Sequence, residues 1–264
     1  MYFVMPVSKL NKNNMDSKGQ FGLTYTEDFR VACTINYLKQ EEVLQYFVNR
    51  VSFYAFNGGE MEAVAIWATN IIVDCREEAN AEITAIKSRK IQRIWIKYIG
   101  LLSDLNANIY LSTVEKMKES FNLMEEWEAE MGPLTDYPAT LYLDEERFLL
   151  LTFDFNLLCS MNGVNPLQVL QYFINQISLA RQRAVNLIEF VGANTSMSLF
   201  GMMLLSRSMK KNRLPVQQEI HQLYSEKLLS LDESLKNEED IERRLSIYRE
   251  FYAEWYHTLM KHLS

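Results

Sequence analysis

The chain has 264 residues, 48% apolar and 23% charged, which is the composition of a folded protein with a sizeable core rather than of a disordered segment. Its net charge of −7 opposes non-specific adhesion to nucleic acid or to acidic membranes. Only nine Gly and five Pro occur, so we expect long regular elements with few tight turns, which favours helices.

The N-terminal segment, residues 1–20, is expected to be flexible. It has no basic residues ahead of its apolar ones and too few apolar residues for a secretory signal. No stretch of the chain approaches the roughly 18 uninterrupted apolar residues of a membrane span. Three widely spaced cysteines, Cys33, Cys75 and Cys159, indicate free thiols in a reducing compartment. We therefore expect a cytoplasmic protein that does not bind a membrane.

A long segment occurs twice. Shifting the chain by 126 positions aligns residues 29–52 with residues 155–178 without a gap, and ten of these twenty-four positions are identical. The register continues more weakly, with Tyr98 on Tyr224 and, after a slip of two residues, Trp127 on Trp255. A period this long that is present only twice is not a solenoid array. It indicates the duplication of a whole domain.

The repeated segment predicts a helix, a turn and a second helix. In the second copy, Gly163 suits the left-handed conformation after a helix end, Asn165 suits a helix cap, and Pro166 suits the first helical position. Gln168 completes a capping box with Asn165. The first copy has Tyr37 at the position of Gly163, so we expect its turn to be less sharply set.

The remainder of each copy also has helical periodicity, and short apolar runs at residues 20–25 and 147–153 are the only credible strands. We therefore predict a mainly α fold made of two homologous tandem helical units, arranged about a pseudo-twofold axis, each with one short strand before it. The predicted boundaries are residues 21–131 for unit 1 and residues 147–264 for unit 2. Residues 132–146, which include two of the five prolines, are predicted to be a linker.

A polar stripe recurs in both copies. Gln, Asn and Ser have the spacing i, i+4 and i+7 in each, which places them on one helix face. The six residues are Gln45, Asn49, Ser52, Gln171, Asn175 and Ser178. Core packing gives no reason to retain these polar types. Three explanations remain open: equivalent buried hydrogen bonds, contact of the two helices about the pseudo-twofold axis, or a ligand site between the copies.

Basic residues cluster at similar places in the two copies. The clusters are Lys87, Arg89, Lys90 and Arg93, and Arg207, Lys210, Lys211 and Arg213. In an acidic chain they are candidate contacts for nucleic acid or another anion. The alternative is that cations gather at helix C-termini, where the helix dipole favours them.

Metal and catalytic chemistry have little support in the sequence. Glu254 and His257 have the Glu-x-x-His spacing of helical di-iron sites, but the first copy has no His at the matching place. His221 follows a Gln rather than a Glu at that spacing. We find no phosphate-binding glycine loop and no nucleophile motif. The sequence therefore predicts no cofactor and no metal, and it favours a protein that is not an enzyme.

The favoured function is that of a non-catalytic scaffold, adaptor or regulator that binds another protein through helical surfaces. One alternative is a nucleic-acid-associated regulator that uses the basic clusters at residues 87–93 and 207–213. The other alternative is a small-ligand binder or enzyme whose pocket lies between the copies, near Gln45, Asn49, Gln171 and Asn175.

Overall fold

The computed structural model describes residues 22–82, 88–144, 146–189, 194–205 and 215–262, and within these ranges the fold is mainly α-helical, as predicted. The helices are α1 Glu27–Ile35, α2 Gln40–Arg50, α3 Phe53–Phe56, α4 Ala63–Ala79, α5 Arg89–Ala107, α6 Thr113–Met131, α7 Phe153–Met161, α8 Pro166–Gln176, α9 Leu179–Glu189, α10 Thr195–Leu205, α11 Pro215–Leu235 and α12 Ile241–Met260. A short 3-10 helix occupies Gly132–Leu134. In the described part of the chain, no helix is both long and apolar enough to cross a membrane.

Two short strands form an antiparallel hairpin, β1 Thr140–Tyr142 and β2 Phe148–Leu150. The second of the two predicted strands is confirmed by β2. The first is wrong for its described residues, 22–25, which form no strand and lead directly into α1. Strand β1 was missed, because it lies in the segment predicted to be a linker.

The hairpin turn explains why this segment is ordered into a strand. The Asp144 carboxylate accepts the backbone N–H groups of Glu146 at 3.0 Å and Arg147 at 2.7 Å. The Arg147 guanidinium also donates to the same carboxylate, at 2.6 Å. An aspartate that satisfies turn amides in this way holds the two strands in register.

The helices divide into two compact units, and neither unit is one continuous segment. Within the described residues, the first unit consists of Leu44–Tyr172 together with residues 22–23, and the second consists of Thr24–Val43 and Phe173–Ser264. Helix α1 therefore belongs with the helices of the second sequence copy, and α7 belongs with those of the first. These units are defined by contacts and the predicted boundaries by the sequence repeat, so those boundaries stay a prediction.

The core of the first unit is built around Trp127, which is fully buried. Its ring stacks on Tyr98, with centroids 5.5 Å apart, and meets Phe53 at 5.0 Å and Trp95 at 5.1 Å edge to face. Helix α7 joins this core through Phe153, 6.1 Å from Trp127. Aromatic side chains in such arrangements contribute large buried areas and orient one another.

A hydrogen bond also links α7 to α3 in the first unit. The backbone N–H of Phe53, the first residue of α3, donates to the Asp154 carboxylate at 2.7 Å. Burial raises the pKa of Asp154 to about 6, and the nearby charge of Glu128 adds to this effect, although the Phe53 N–H acts against it. The carboxylate therefore occupies an environment that disfavours its charged form.

The core of the second unit is built around Trp255 of α12. Its ring stacks on Tyr224, with centroids 5.4 Å apart and an interplanar angle of 9°. The His221 ring also packs in this cluster, with its centroid 5.2 Å from that of Trp255 and 5.1 Å from that of Tyr37. Helix α1 contributes Val31 and Ile35 to this core, so its apolar face is buried against second-unit helices.

The helix starts of the repeated segment have the same local geometry at positions 126 residues apart. Thr26 caps α1 by accepting the Phe29 N–H at 3.2 Å, and Thr152 caps α7 by accepting the Phe155 N–H at 3.2 Å. The predicted capping box of α8 is confirmed, because Gln168 N–H donates to the Asn165 side chain at 2.8 Å and Asn165 N–H donates back at 3.0 Å.

The turns after α1 and α7 also match, which corrects one expectation. Tyr37 has φ 56° and Gly163 has φ 68°, so both residues are left-handed. The following residues donate to Cys33 O at 2.9 Å and Cys159 O at 3.1 Å, respectively. The first turn is therefore as sharply set as the second. Packing of the Tyr37 ring on His221 accompanies a backbone conformation that Tyr rarely adopts.

The left-handed turn at Gly163 leads to a first prediction. A Cβ at this position would lie 2.8 Å from the Glu82 carbonyl oxygen, so Gly163→Ala is expected to lower the free energy of unfolding by about 1–3 kcal/mol. Gly100→Ala is the matched control: Gly100 lies in the middle of α5 with open space around it, and the change is expected to stabilise by about 0.5–1 kcal/mol. Urea unfolding followed by circular dichroism measures both. Equal effects of the two substitutions would contradict the assignment of strain to Gly163.

Candidate functional site: a cleft in the second unit

The polar stripe of the first copy is engaged in structural hydrogen bonds. The Gln45 amide donates to Asn49 Oδ1 at 2.8 Å and to the Leu150 carbonyl at 2.9 Å, and it accepts the Leu150 N–H at 2.8 Å. Gln45 therefore pairs with the backbone of β2 as a neighbouring strand would. This role needs an amide, which explains the residue type at this position.

The two serines of the stripe are helix caps. Ser52 Oγ accepts the Ala55 N–H at 3.4 Å at the start of α3, and Ser178 Oγ accepts the Arg181 N–H at 3.1 Å at the start of α9. Both serines are buried. Capping satisfies backbone donors that would otherwise lack a partner, and this is a local reason to retain Ser in both copies.

The two amides of the second copy lie in different compact units. Gln171, half-buried, is in the first unit, and Asn175, exposed, is in the second. Asn175 lines the cleft described below. Binding of a common ligand by the six stripe residues stays a prediction.

The basic clusters fall partly outside the described residues. Lys87 and all four residues of the second cluster, Arg207, Lys210, Lys211 and Arg213, lie there. Arg89, Lys90 and Arg93 are exposed in the first turns of α5, which begins after the Ser88 cap. The explanation that cations gather at a helix C-terminus is therefore wrong for these three residues. They lie at a helix N-terminus, where the helix dipole disfavours cations. Its binding to nucleic acid stays a prediction.

The residues considered for metal binding are not brought together. Glu254 instead accepts the Tyr224 hydroxyl at 2.8 Å and the Lys227 ammonium at 3.2 Å, and these hydrogen bonds lower its pKa. His221 lies between Tyr37 and Trp255, while His257 is exposed. Among the described residues, no group of three or more His, Cys, Asp or Glu is positioned to hold a metal ion.

The three cysteines are free and buried. Burial raises the pKa of the Cys75 thiol to about 11, with a further contribution from Glu78. Burial likewise raises the pKa of Cys33 and of Cys159. A thiol whose ionisation is disfavoured is a poor nucleophile, so these side chains serve as small apolar core residues.

A cleft of about 570 Å³ opens in the second unit between α1, the end of α8, the start of α9 and α12. Its volume lies in the range of about 300–1,000 Å³ typical of small-molecule sites. The lining residues are Thr26, Glu27, Asp28, Val31, Asn175, Leu179, Ala180, Arg249, Glu250, Tyr252 and Ala253. Of the six residues in the polar stripe, only Asn175 is among them.

The charges of the cleft are mainly negative. The lining includes three carboxylates, those of Glu27, Asp28 and Glu250, and one cation, Arg249. The Arg249 guanidinium is 3.5 Å from the Asp28 carboxylate, and both side chains are accessible to solvent. The apolar part of the lining, here called the apolar wall, consists of Val31, Leu179, Ala180 and the Tyr252 ring. The cleft thus combines three carboxylates with an apolar wall.

The positions that border the cleft can be compared with those 126 residues away. Leu179, Ala180 and Glu27 correspond to Phe53, Tyr54 and Phe153. In the first unit these three aromatic side chains are 1%, 1% and 9% exposed and fill the core. The sequence therefore contained a signal for the cleft. Three aromatic residues of the first copy are replaced by smaller or charged residues in the positions that line it.

A second feature of this unit is a buried cation on α12. Arg244 is 0% exposed, and in the part of the chain that the structure describes its guanidinium nitrogens have no hydrogen-bond partner. Lys116 of the first unit precedes Arg244 in the chain by the 128-residue spacing of Trp127 and Trp255, and it donates to the Asn106 carbonyl at 2.8 Å. Burying a cation without a partner is costly.

This contrast leads to a second prediction. Arg244→Met keeps an unbranched apolar chain and removes the charge, so we expect it to raise the free energy of unfolding by about 1–4 kcal/mol. Lys116→Met is the control and is expected to give no gain, because it leaves the Asn106 carbonyl without its donor. Denaturant unfolding measures both changes. A loss of stability in Arg244→Met would show that the guanidinium has a stabilising counter-charge.

In comparisons with known proteins, no family model, no curated protein and no solved structure matches the chain.

Proposed function

We propose that the chain is a duplicated helical module whose copies contribute to both compact units. Support comes from positions 126 residues apart that have the same local structure. Thr26 and Thr152 cap α1 and α7, respectively. Tyr37 and Gly163 both adopt a left-handed backbone conformation. The stacked ring pair of Tyr98 and Trp127 has its counterpart in that of Tyr224 and Trp255, with nearly equal distances and angles. The pseudo-twofold arrangement is part of this proposal.

We further propose that the protein is a non-catalytic adaptor or regulator that recognises a ligand or a partner side chain at the second-unit cleft. The observation that carries this proposal is the cleft itself, about 570 Å³ in volume and lined by both polar and apolar side chains. Binding sites typically combine an apolar wall with a few convergent polar groups. Location in the cytoplasm stays a prediction.

Divergence between the copies supports the same proposal. After a duplication, one copy can keep a filled core that maintains the fold. The other copy can then lose core side chains and open a cleft that a ligand can enter. The first unit has Phe53, Tyr54 and Phe153 in its core, and the second unit has Leu179, Ala180 and Glu27 at the positions 126 residues away. Leaving a core site unfilled reduces stability, so an opening of this size is more easily explained by binding than by packing.

The proposal is tested with a thermal-shift screen of the purified full chain against small molecules of every charge class. The cleft variant is Leu179→Phe, which restores the residue type found at position 53. The control is Leu223→Phe, at a half-exposed site on α11. We expect some compounds to raise the melting temperature of the unsubstituted chain and of the control but not of the cleft variant. Stabilisation that is equal in all three proteins, or chemical turnover of a bound compound, would overturn the proposal.

A further inference from the structure

The charge balance of the cleft identifies a class of ligand. Glu27, Asp28 and Glu250 contribute three negative charges and Arg249 contributes one positive charge, so the lining has a formal excess of two negative charges. Arg249 is already positioned beside Asp28, at 3.5 Å. Among the described residues, neither Glu27 nor Glu250 forms an ion pair with Arg249. A cleft with this charge favours cations and repels anions.

The apolar wall distinguishes an organic cation from a hydrated metal ion. Val31, Leu179 and Ala180 are apolar, and the Tyr252 ring, which is 8% exposed, extends this wall along α12. An alkyl chain would bury apolar surface here, whereas a small hard cation requires several converging oxygen ligands. No such converging group occurs within the described ranges.

We propose that the second-unit cleft binds an alkylammonium group, with the nitrogen at the carboxylates of Glu27 and Glu250 and the alkyl chain against Val31 and Leu179. This inference rests on the proposed function. The same chemistry is carried by a free aliphatic amine and by a lysine side chain of a protein, and both fit an opening of this volume. A lysine side chain would make the cleft the recognition site of an adaptor.

The experiment titrates the full chain by isothermal calorimetry with pentylammonium chloride, pentanol and sodium pentanoate. These three probes share one alkyl chain and differ in charge. We expect saturable binding of pentylammonium, weakened by salt, and no binding of pentanoate. The double variant Glu27→Gln/Glu250→Gln should weaken pentylammonium binding by at least about tenfold. Arg249→Met should strengthen it, because it removes the only cation of the lining.

The control is Glu242→Gln, which alters an exposed carboxylate in the first turn of α12 outside the cleft and should leave the affinity for pentylammonium unchanged.

A second arm of the experiment uses a short acetylated peptide amide with one lysine, and the same peptide with that lysine acetylated. If the unmodified peptide binds more tightly than pentylammonium, the ammonium group that the cleft recognises belongs to a protein partner. If pentylammonium binds more tightly, it belongs to a free amine.

Three results would overturn the inference in different ways. If pentanol or pentanoate binds as well as pentylammonium, and Leu179→Phe prevents that binding, the cleft is a site but the ammonium specificity is wrong. If pentylammonium binds equally well to the double glutamine variant, the carboxylates are not its ligands. If no probe binds, the ligand class is wrong, and the broader screen of the proposed function decides separately whether the cleft binds anything.

Discussion

Cutting the chain between Asp136 and Tyr137 is expected to leave both fragments largely unfolded when they are separate, and to restore the helical signal when they are mixed. The first fragment would lack α7 and the hairpin, which belong to the first compact unit. The second would lack α1, which packs on α9 and α12 in the second unit. Each fragment is therefore missing a helix from a core that it cannot otherwise close.

The size of this effect follows from the weakness of isolated helices in water. Most helical stability in proteins comes from tertiary packing of an apolar face, so roughly half or more of the helical signal of each fragment should be lost. Circular dichroism of the fragments, alone and mixed, measures it. The control is the intact chain with a protease site inserted at the same position and cleaved after folding, which should keep its signal.

The opposite outcome has a clear meaning. Two fragments that each unfold cooperatively with full helical content would show that the sequence boundaries at residues 21–131 and 147–264 define independent domains. The contact-defined units, which combine Thr24–Val43 with Phe173–Ser264, would then not be the folding units.

Asp154→Asn is expected to raise the free energy of unfolding at pH 7.5 by about 2 kcal/mol. Burial raises the pKa of Asp154 to about 6, whereas an unfolded Asp titrates near 3.9. The folded state thus holds this proton more tightly than the unfolded state. The stabilisation from the neutral form is fully present below about pH 3.9 and is lost as the pH rises through 6. Asparagine is neutral at every pH and keeps an oxygen that can accept the Phe53 N–H.

Urea unfolding of both proteins between pH 4 and pH 8 measures this effect. The gain from the substitution should be near zero at pH 4 and should reach its full size above pH 6.5. The matched control is Asp28→Asn, 126 residues earlier, where the carboxylate is accessible and paired with Arg249. That change should cost no more than about 1 kcal/mol, as is usual for exposed ion pairs. A gain for Asp154→Asn that is independent of pH would contradict the explanation.

Local features of this protein could be predicted from the sequence because the interacting groups are close along the chain. The helical class, the α8 capping box of Asn165 and Gln168, and the left-handed turn at Gly163 each depend on residues within five positions of one another. The turn at Tyr37 was predicted to be less sharply set than it is, since a long-range contact with the His221 ring accompanies its conformation. The stripe residues were recognised as special, yet the capping role of Ser52 and Ser178 was missed.

The amino-acid sequence by itself determined the helices, their caps and the twofold repetition of a segment, because these depend on backbone hydrogen bonds and periodic apolar faces within a few turns. Only the tertiary structure decided which helix completes which core, and hence that α1 belongs with α9 and α12. It also decided that Glu27, Asp28 and Glu250 line one cleft. Residues more than 200 positions apart can pair only after the chain has folded, since an apolar face specifies that it will be buried and not which partner will bury it.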